Sequence, residues 1–149
     1  MTDYTEIYDL FLAEVKDYKL DILVASTPVL ANYLCGFLKL AIPNFKNCLQ
    51  DLEDRDDTTQ TFNITLTETE KHIVVRWMVY EWFLREVQDV TQFNLSLSDT
   101  DFKRYAEANN LRSKQEYANG LREINSQKNT DYGLKGINWD AWIGGNFSD

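Results

Sequence analysis

The sequence predicts a mainly α-helical protein: a small domain of about four helices, a short β segment or hairpin, and an extended C-terminal arm. Three observations predict it. Apolar residues recur at spacings of three and four over most of the chain, the period of an amphipathic helix. Hydroxyl-bearing cap signals open several of those runs. From Asn129 onward the period gives way to glycine mixed with large aromatics. The 149 residues fit one domain, and a chain of that size buries roughly 68–70% of its unfolded surface. With 44% hydrophobic and 13% aromatic residues it has the material for a core.

Residues 3–18 carry Tyr4, Ile7, Tyr8, Phe11, Leu12 and Val15 at helical spacing. Ser26-Thr27-Pro28 is a helix start, with a hydroxyl for the orphan N–H groups and Pro in the first turn. Val29, Leu30, Tyr33, Leu34, Phe37, Leu38 and Ala41 form its apolar face, and Gly36 offers room for a close helix approach. Pro43 should kink or divide this helix, with Phe45, Cys48, Leu49 and Leu52 continuing the period beyond it. Residues 51–57 are a solvated acidic loop, and residues 61–66 alternate with period two, as in a hairpin strand or a sheet edge. Thr67-x-x-Glu70 reads as a capping box. The helix it opens should reach about Phe93 and is apolar on nearly every side, so it must lie between other elements or between subunits. Glu81 and Arg85 are placed for an intrahelical ion pair. Ser98 is the next cap, with Asp99 and Asp101 favoured by the helix dipole. Phe102, Tyr105, Ala106 and Leu111 line that helix, and Tyr117, Leu121 and Ile124 continue a sparser stripe to about Gln127. The expected organisation is therefore a helical domain over residues 1–128 and an extended arm over residues 129–149.

Charge narrows the partners. Lys+Arg total 15 and Asp+Glu total 24, so the formal charge is 15 − 24 = −9. That balance disfavours a binder of nucleic-acid backbones, which needs a cationic face, and a binder of anionic membranes. The N-terminus has no basic and apolar signal pattern. The most apolar stretch, residues 73–84, is interrupted by Arg76 and Glu81 and falls short of the roughly 20 residues of a spanning helix. The expectation is a soluble protein, made in a reducing cytoplasm, with no membrane partner. Cys35 and Cys48 are too few for a disulfide scaffold and read as small buried hydrophobes.

No constellation points to chemistry. Counted from Asp51, the acidic loop has Glu53 and Arg55 at the third and fifth positions, no Gly, and Phe62 at the twelfth, so it is not an EF-hand. His72 is the single histidine and stands beside Lys71 without a nucleophile in its motif. Gly144-Gly145 lacks the Lys-Ser/Thr of a phosphate loop. The reading is no enzyme, no metal and no cofactor. Trp77 and Trp82 are assigned to the core, whereas Trp139 and Trp142, three apart and flanked by glycine, suit anchoring on a partner.

An ordered set of residues carries a resemblance. Asp51-Leu52 with Arg55-Asp56 is followed by the alternating segment, by Leu66-Thr67 with Glu70, and by Met78 with Glu81-Trp82. Asp101-Phe102, Tyr105, Asn109 and Leu111 come next, and an aromatic arm closes the chain. This resembles the small helical neck proteins of tailed bacteriophages, the head–tail connector or adaptor class, over roughly residues 7–111. The tail is longer and richer in Gly and Trp than that pattern.

The resemblance implies a virion structural protein at the head–tail interface, made in the host cytoplasm. It implies a homo-oligomeric, usually dodecameric, ring that contacts the portal protein and the next neck or tail protein. Double-stranded DNA would pass through the channel without specific binding, and an acidic wall would let phosphates slide. The docking arm would use Tyr132, Leu134, Ile137, Trp139, Trp142 and Ile143. Contacts between subunits would fall to Asp54, Arg55, Asp56, Arg76, Trp82 and Arg85. Two other classes remain open. The net charge suits an acidic regulator that mimics nucleic acid and binds a basic host protein, although the acids are spread rather than massed. A small hydrolase would rest on His72 and the carboxylates alone.

Overall fold

In the computed structural model, which describes residues 1–15, 27–97 and 101–137, the chain is mainly helical with a small antiparallel sheet. Side chains are described at these positions except 27, 89–97 and 101–110. Helix α1 spans Tyr4–Glu14. Asp3 caps it, its Oδ1 accepting from the Thr5 backbone N–H at 2.9 Å and the Thr5 hydroxyl at 2.7 Å. Its expected apolar face is the observed one: Tyr4, Ile7, Tyr8 and Phe11 are all buried. Helix α2 spans Thr27–Ala41 and buries Leu34, Phe37, Leu38 and Ala41. Among the described residues a Cβ at Gly36 would meet nothing within 4 Å, so none of them makes the close helix approach expected there.

Pro43 divides the helix as expected. A 3₁₀ turn follows over Ile42–Asn44, and Phe45 leaves the helical region at φ −87°, ψ 63°. The period carried by Phe45, Cys48, Leu49 and Leu52 is therefore not helical: residues 45–52 form turns. Phe45 and Leu52 still reach the core, but Leu49 is 66% exposed.

The alternating segment contributes two residues to a sheet. Strands β1 (Thr2–Asp3), β2 (Arg55–Asp56) and β3 (Thr61–Phe62) are ordered β1-β3-β2, with Phe62 opposite both Thr2 and Arg55. The hairpin is thus present, but β3 is its centre rather than an edge. The β2–β3 turn is closed by Gln60 at φ 56°, in the left-handed region. Phe62 is fully buried, with its ring 4.9 Å from that of Tyr4.

Helix α3 spans Glu68–Leu97. The capping box forms as expected: the Glu70 carboxylate accepts from the Thr67 N–H at 2.7 Å, and the Thr67 hydroxyl accepts from the Glu70 N–H at 3.3 Å. The helix packs against α1, α2 and the last helix, α4 (Asp101–Lys135), which accounts for apolar residues on several of its sides: Ile73–Val75, Trp77 and Met78 are buried and residues 79–84 half-buried. Its Val74, Val75 and Met78 meet Phe11, Leu34 and Leu38, all fully buried, in one core. Glu81 and Arg85 do not pair. Glu81 accepts from Asn44 Nδ2 at 2.8 Å, and the Arg85 guanidinium lies 5.3 Å from the Tyr33 ring centre and 5.7 Å from that of Phe37.

Two expectations about α4 are corrected. Tyr117 and Ile124 are exposed, at 58% and 52%, although the Tyr117 ring meets Phe83 edge-on. The buried face runs instead through Ala118, Asn125 and Asn129, with Leu111, Leu121 and Tyr132 half-buried. The apolar-stripe rule misses it because two of its seats hold asparagine. Nor does the arm begin at Asn129: α4 passes through residue 128 unbroken to Lys135, so residues 129–135 are helical rather than extended. Packing of Asn129 and Tyr132 on the body supplies what the weak helix propensity of that stretch lacks. Ser98, Trp139, Trp142 and Ile143 lie outside the described residues. No helix among the described residues is long and apolar enough to cross a membrane.

Candidate docking site at the end of the last helix

The α3–α4 seam is held by directed polar contacts. Asn129 is 7% exposed. Its Oδ1 accepts from Trp77 Nε1 at 3.1 Å, and its Nδ2 donates to the Asn44 carbonyl at 2.7 Å. One turn earlier, Asn125 is 1% exposed and donates through Nδ2 to the Arg76 carbonyl at 2.9 Å, while its Oδ1 is buried without a partner. A buried amide bonded to fixed carbonyls tolerates little sliding, so these contacts set the register of α4.

The next turn ties α4 to the start of α3. The Tyr132 hydroxyl donates to Glu70, a carboxylate only 2% exposed and already engaged in the capping box. Leu49 N–H lies 3.4 Å from the same hydroxyl, and Phe45 packs edge-on against the Tyr132 ring at 5.1 Å. Burial, and then the bond to Glu70, pushes the Tyr132 phenol well above its ordinary range. Burial also raises the neighbouring Cys48 thiol. Cys35 and Cys48 are both free, the first buried and the second half-buried.

Past Tyr132 two glycines let the helix close on the loop after the 3₁₀ turn. A Cβ at Gly133 would approach Asn47 Cβ to 3.2 Å, and one at Gly136 would approach the Leu49 side chain to 3.0 Å. The result is a hollow of about 360 Å³ lined by Asn47, Leu49, Thr130, Gly133, Leu134 and Ile137. Leu49, Leu134 and Ile137 stay 66%, 44% and 42% exposed. A second hollow of about 320 Å³, lined by Thr69, His72, Ile73, Lys128, Asp131, Tyr132 and Lys135, occupies another face of the same turns. Residues 128, 131, 132 and 135 share one helix face, and 130, 133 and 134 line the other hollow together with Ile137, in the turn just past the helix end.

The residues expected at contacts between subunits make the following contacts within the chain. Asp54 accepts from Asn63 Nδ2 at 2.7 Å, and Asp56 from the Thr58 N–H at 2.8 Å. Arg55 donates to the Leu52 carbonyl at 2.9 Å and pairs with Glu53 at 2.8 Å and Asp57 at 3.3 Å. Asp57 gathers the hairpin and two helices: the Tyr4 hydroxyl lies at 2.8 Å and Lys39 at 2.9 Å. Its hydrogen bond from Lys39, helped by that from Tyr4, holds its carboxyl below the usual range. Arg76 lies 3.7 Å from Glu14, and Trp82 packs half-buried against the core. Trp77 is in the core as expected, at 4% exposure.

The structure therefore brings Leu134 and Ile137 together with Leu49 and Gly133, and places Tyr132 in the other hollow of the same turns; Leu49, Asn129, Gly133 and Gly136 were not among the expected site residues. The recurring signal, Ala118-Leu121-Asn125-Asn129-Tyr132 at spacings of three and four, is visible once asparagine is admitted to a seam. Compared with family models, curated proteins and solved structures, the chain matches none of them.

Proposed function

We propose that this chain is a structural assembly subunit: a ring-forming adaptor of the tailed-phage neck that joins the capsid portal to the tail around the DNA channel. One observation carries the assembly reading. Leu49, Leu134 and Ile137 are exposed together in a hollow where the chain enters its Trp-bearing C-terminal residues. Apolar side chains gathered at one place beside a polar surface suit a protein contact. The ordered motif set narrows that reading to the neck class, and the net charge of −9 suits a channel through which phosphates slide. The test is the composition of purified particles together with co-sedimentation of the chain with its portal. The reading predicts the chain in particles and in a stable complex with the portal. Its absence from both contradicts the reading.

A further inference from the structure

The two hollows at the end of α4 differ in chemistry. One is walled by Leu49, Leu134 and Ile137. The other has two lysines, Lys128 and Lys135, against one carboxylate, Asp131, at its edge, a locally net-positive spot on a chain of net charge −9. The residues that follow, 138–149, read Asn-Trp-Asp-Ala-Trp-Ile-Gly-Gly-Asn-Phe-Ser-Asp: four large apolar side chains, two acids and no Lys or Arg. That composition complements the end of α4 in both respects, apolar to apolar and acid to base.

We infer that the hollow of Leu49, Leu134 and Ile137 receives residues 138–149 of a second copy of this chain, with Trp139 and Trp142 as anchors. The inference rests on the assembly reading above and names the partner of the arm. Reach favours a second copy. Ile137 is itself a wall of the hollow, and Trp139 follows it by two residues, a span of at most about 7 Å. Seating that Trp in its own hollow demands an immediate reversal of the chain. The whole 12-residue segment, extended, reaches about 40 Å, enough to cross to a neighbour. Each copy then gives one arm and receives one, a heterologous contact that propagates from subunit to subunit and closes where the rotation allows. Lys128 and Lys135 draw the acids of the incoming arm and set its direction.

Mixing two variants tests this on the full chain. The hollow variant carries Leu134→Asp with Ile137→Asp, and the arm variant carries Trp139→Ala with Trp142→Ala. Circular dichroism checks that each folds; Leu49→Asp, at a residue 66% exposed, is the second hollow variant should the first not fold. Sedimentation at about 100 µM should show oligomers of the unmodified chain. Each variant alone should associate at least about tenfold more weakly. An equimolar mixture should give a 1:1 pair and nothing larger, because one intact arm meets one intact hollow and no further pair remains. A monomeric unmodified chain, a variant that keeps the full oligomer, or a mixture that stays monomeric overturns the inference. Absence of the chain from particles bears on the neck reading alone, so the two failures are distinguishable.

Discussion

Helix α3 has two packed sides, and they are built differently. Toward α1 and α2 it presents Val74, Val75 and Met78 to Phe11, Leu34 and Leu38, all fully buried and without a polar atom among their side chains. Toward α4 it presents Trp77 Nε1 and the Arg76 carbonyl to Asn129 and Asn125. The first side is held chiefly by non-directional burial, with the ion pairs Lys71–Glu6 and Arg76–Glu14 between α3 and α1 beside it, and burial of that kind stabilises strongly and accepts small shifts of one helix on the other. The second is held by hydrogen bonds that fail when a helix slides. The body of the molecule is thus made stable by one side, and the far end of α4, where Leu134 and Ile137 stand, is aimed by the other. On the assembly reading proposed above, a surface that meets a partner needs that aim more than it needs further stability.

The contrast is sharpened by perturbing each side in turn. The largest effect belongs to the apolar side. Phe11→Ala, at a fully buried position, should lower unfolding stability by about 3–5 kcal/mol, read from denaturant midpoints. The loss should appear as a single cooperative transition, because that core carries the whole fold.

On the polar side, Asn129→Ala leaves Trp77 Nε1 and the Asn44 carbonyl without their partner. The expected cost is about 1–3 kcal/mol, and its distribution matters more than its size. Hydrogen exchange should quicken along the C-terminal half of α4 while the amides around Val74 and Phe11 keep their protection. Uniform quickening would show that the two sides are not distinct.

A smaller effect is expected from Tyr132→Phe, which keeps the ring on Phe45 and removes the hydroxyl from Glu70. The cost should be about 1 kcal/mol at neutral pH. The phenol is raised by its surroundings, so its contribution is complete below the ordinary tyrosine value and fades as pH climbs toward the folded-state value. The gap between the two proteins in thermal midpoint should therefore narrow at strongly alkaline pH.

The smallest effect concerns Asp57. Its carboxyl is depressed by Lys39 and then by Tyr4, so the stability it lends is present above the unfolded-state value and is lost as pH falls through the folded one. Both ion-pair partners are more than a third exposed, at 47% and 37%, so solvent screening keeps the pair's contribution small. Lys39→Met should flatten the fall of the thermal midpoint below about pH 4.

Much of the fold was legible in the sequence, and the parts that were not share a cause. The Thr67–Glu70 box, the Pro43 break and the Tyr4–Phe11 face are local devices, written in adjacent residues and read without knowing the partners. The course of residues 45–52 was not legible, because their helical spacing survives in sequence although Phe45 has left the helical region. The extension of α4 through Asn129 was hidden for a related reason. It depends on Trp77, Asn44 and Glu70, residues 52 to 85 positions away, which no local pattern can display. The candidate site was half legible. Leu134 and Ile137 stood out as apolar residues near the end, whereas Leu49 joined them only through the close approach at Gly133 and Gly136. Asp54, Arg55 and Asp56, expected at contacts between subunits, also hold their own short hairpin and its turn, a role that their sequence pattern did not display.

The claim beneath this account is that the asparagine seam aims the end of α4 for assembly, and it meets its most direct test in the mass of Asn129→Ala measured beside the unmodified chain by native mass spectrometry. The variant should remain folded by circular dichroism yet be found chiefly at the 17.4 kDa monomer while the unmodified chain appears as its multiples. A folded variant that assembles as fully as the unmodified chain would contradict it.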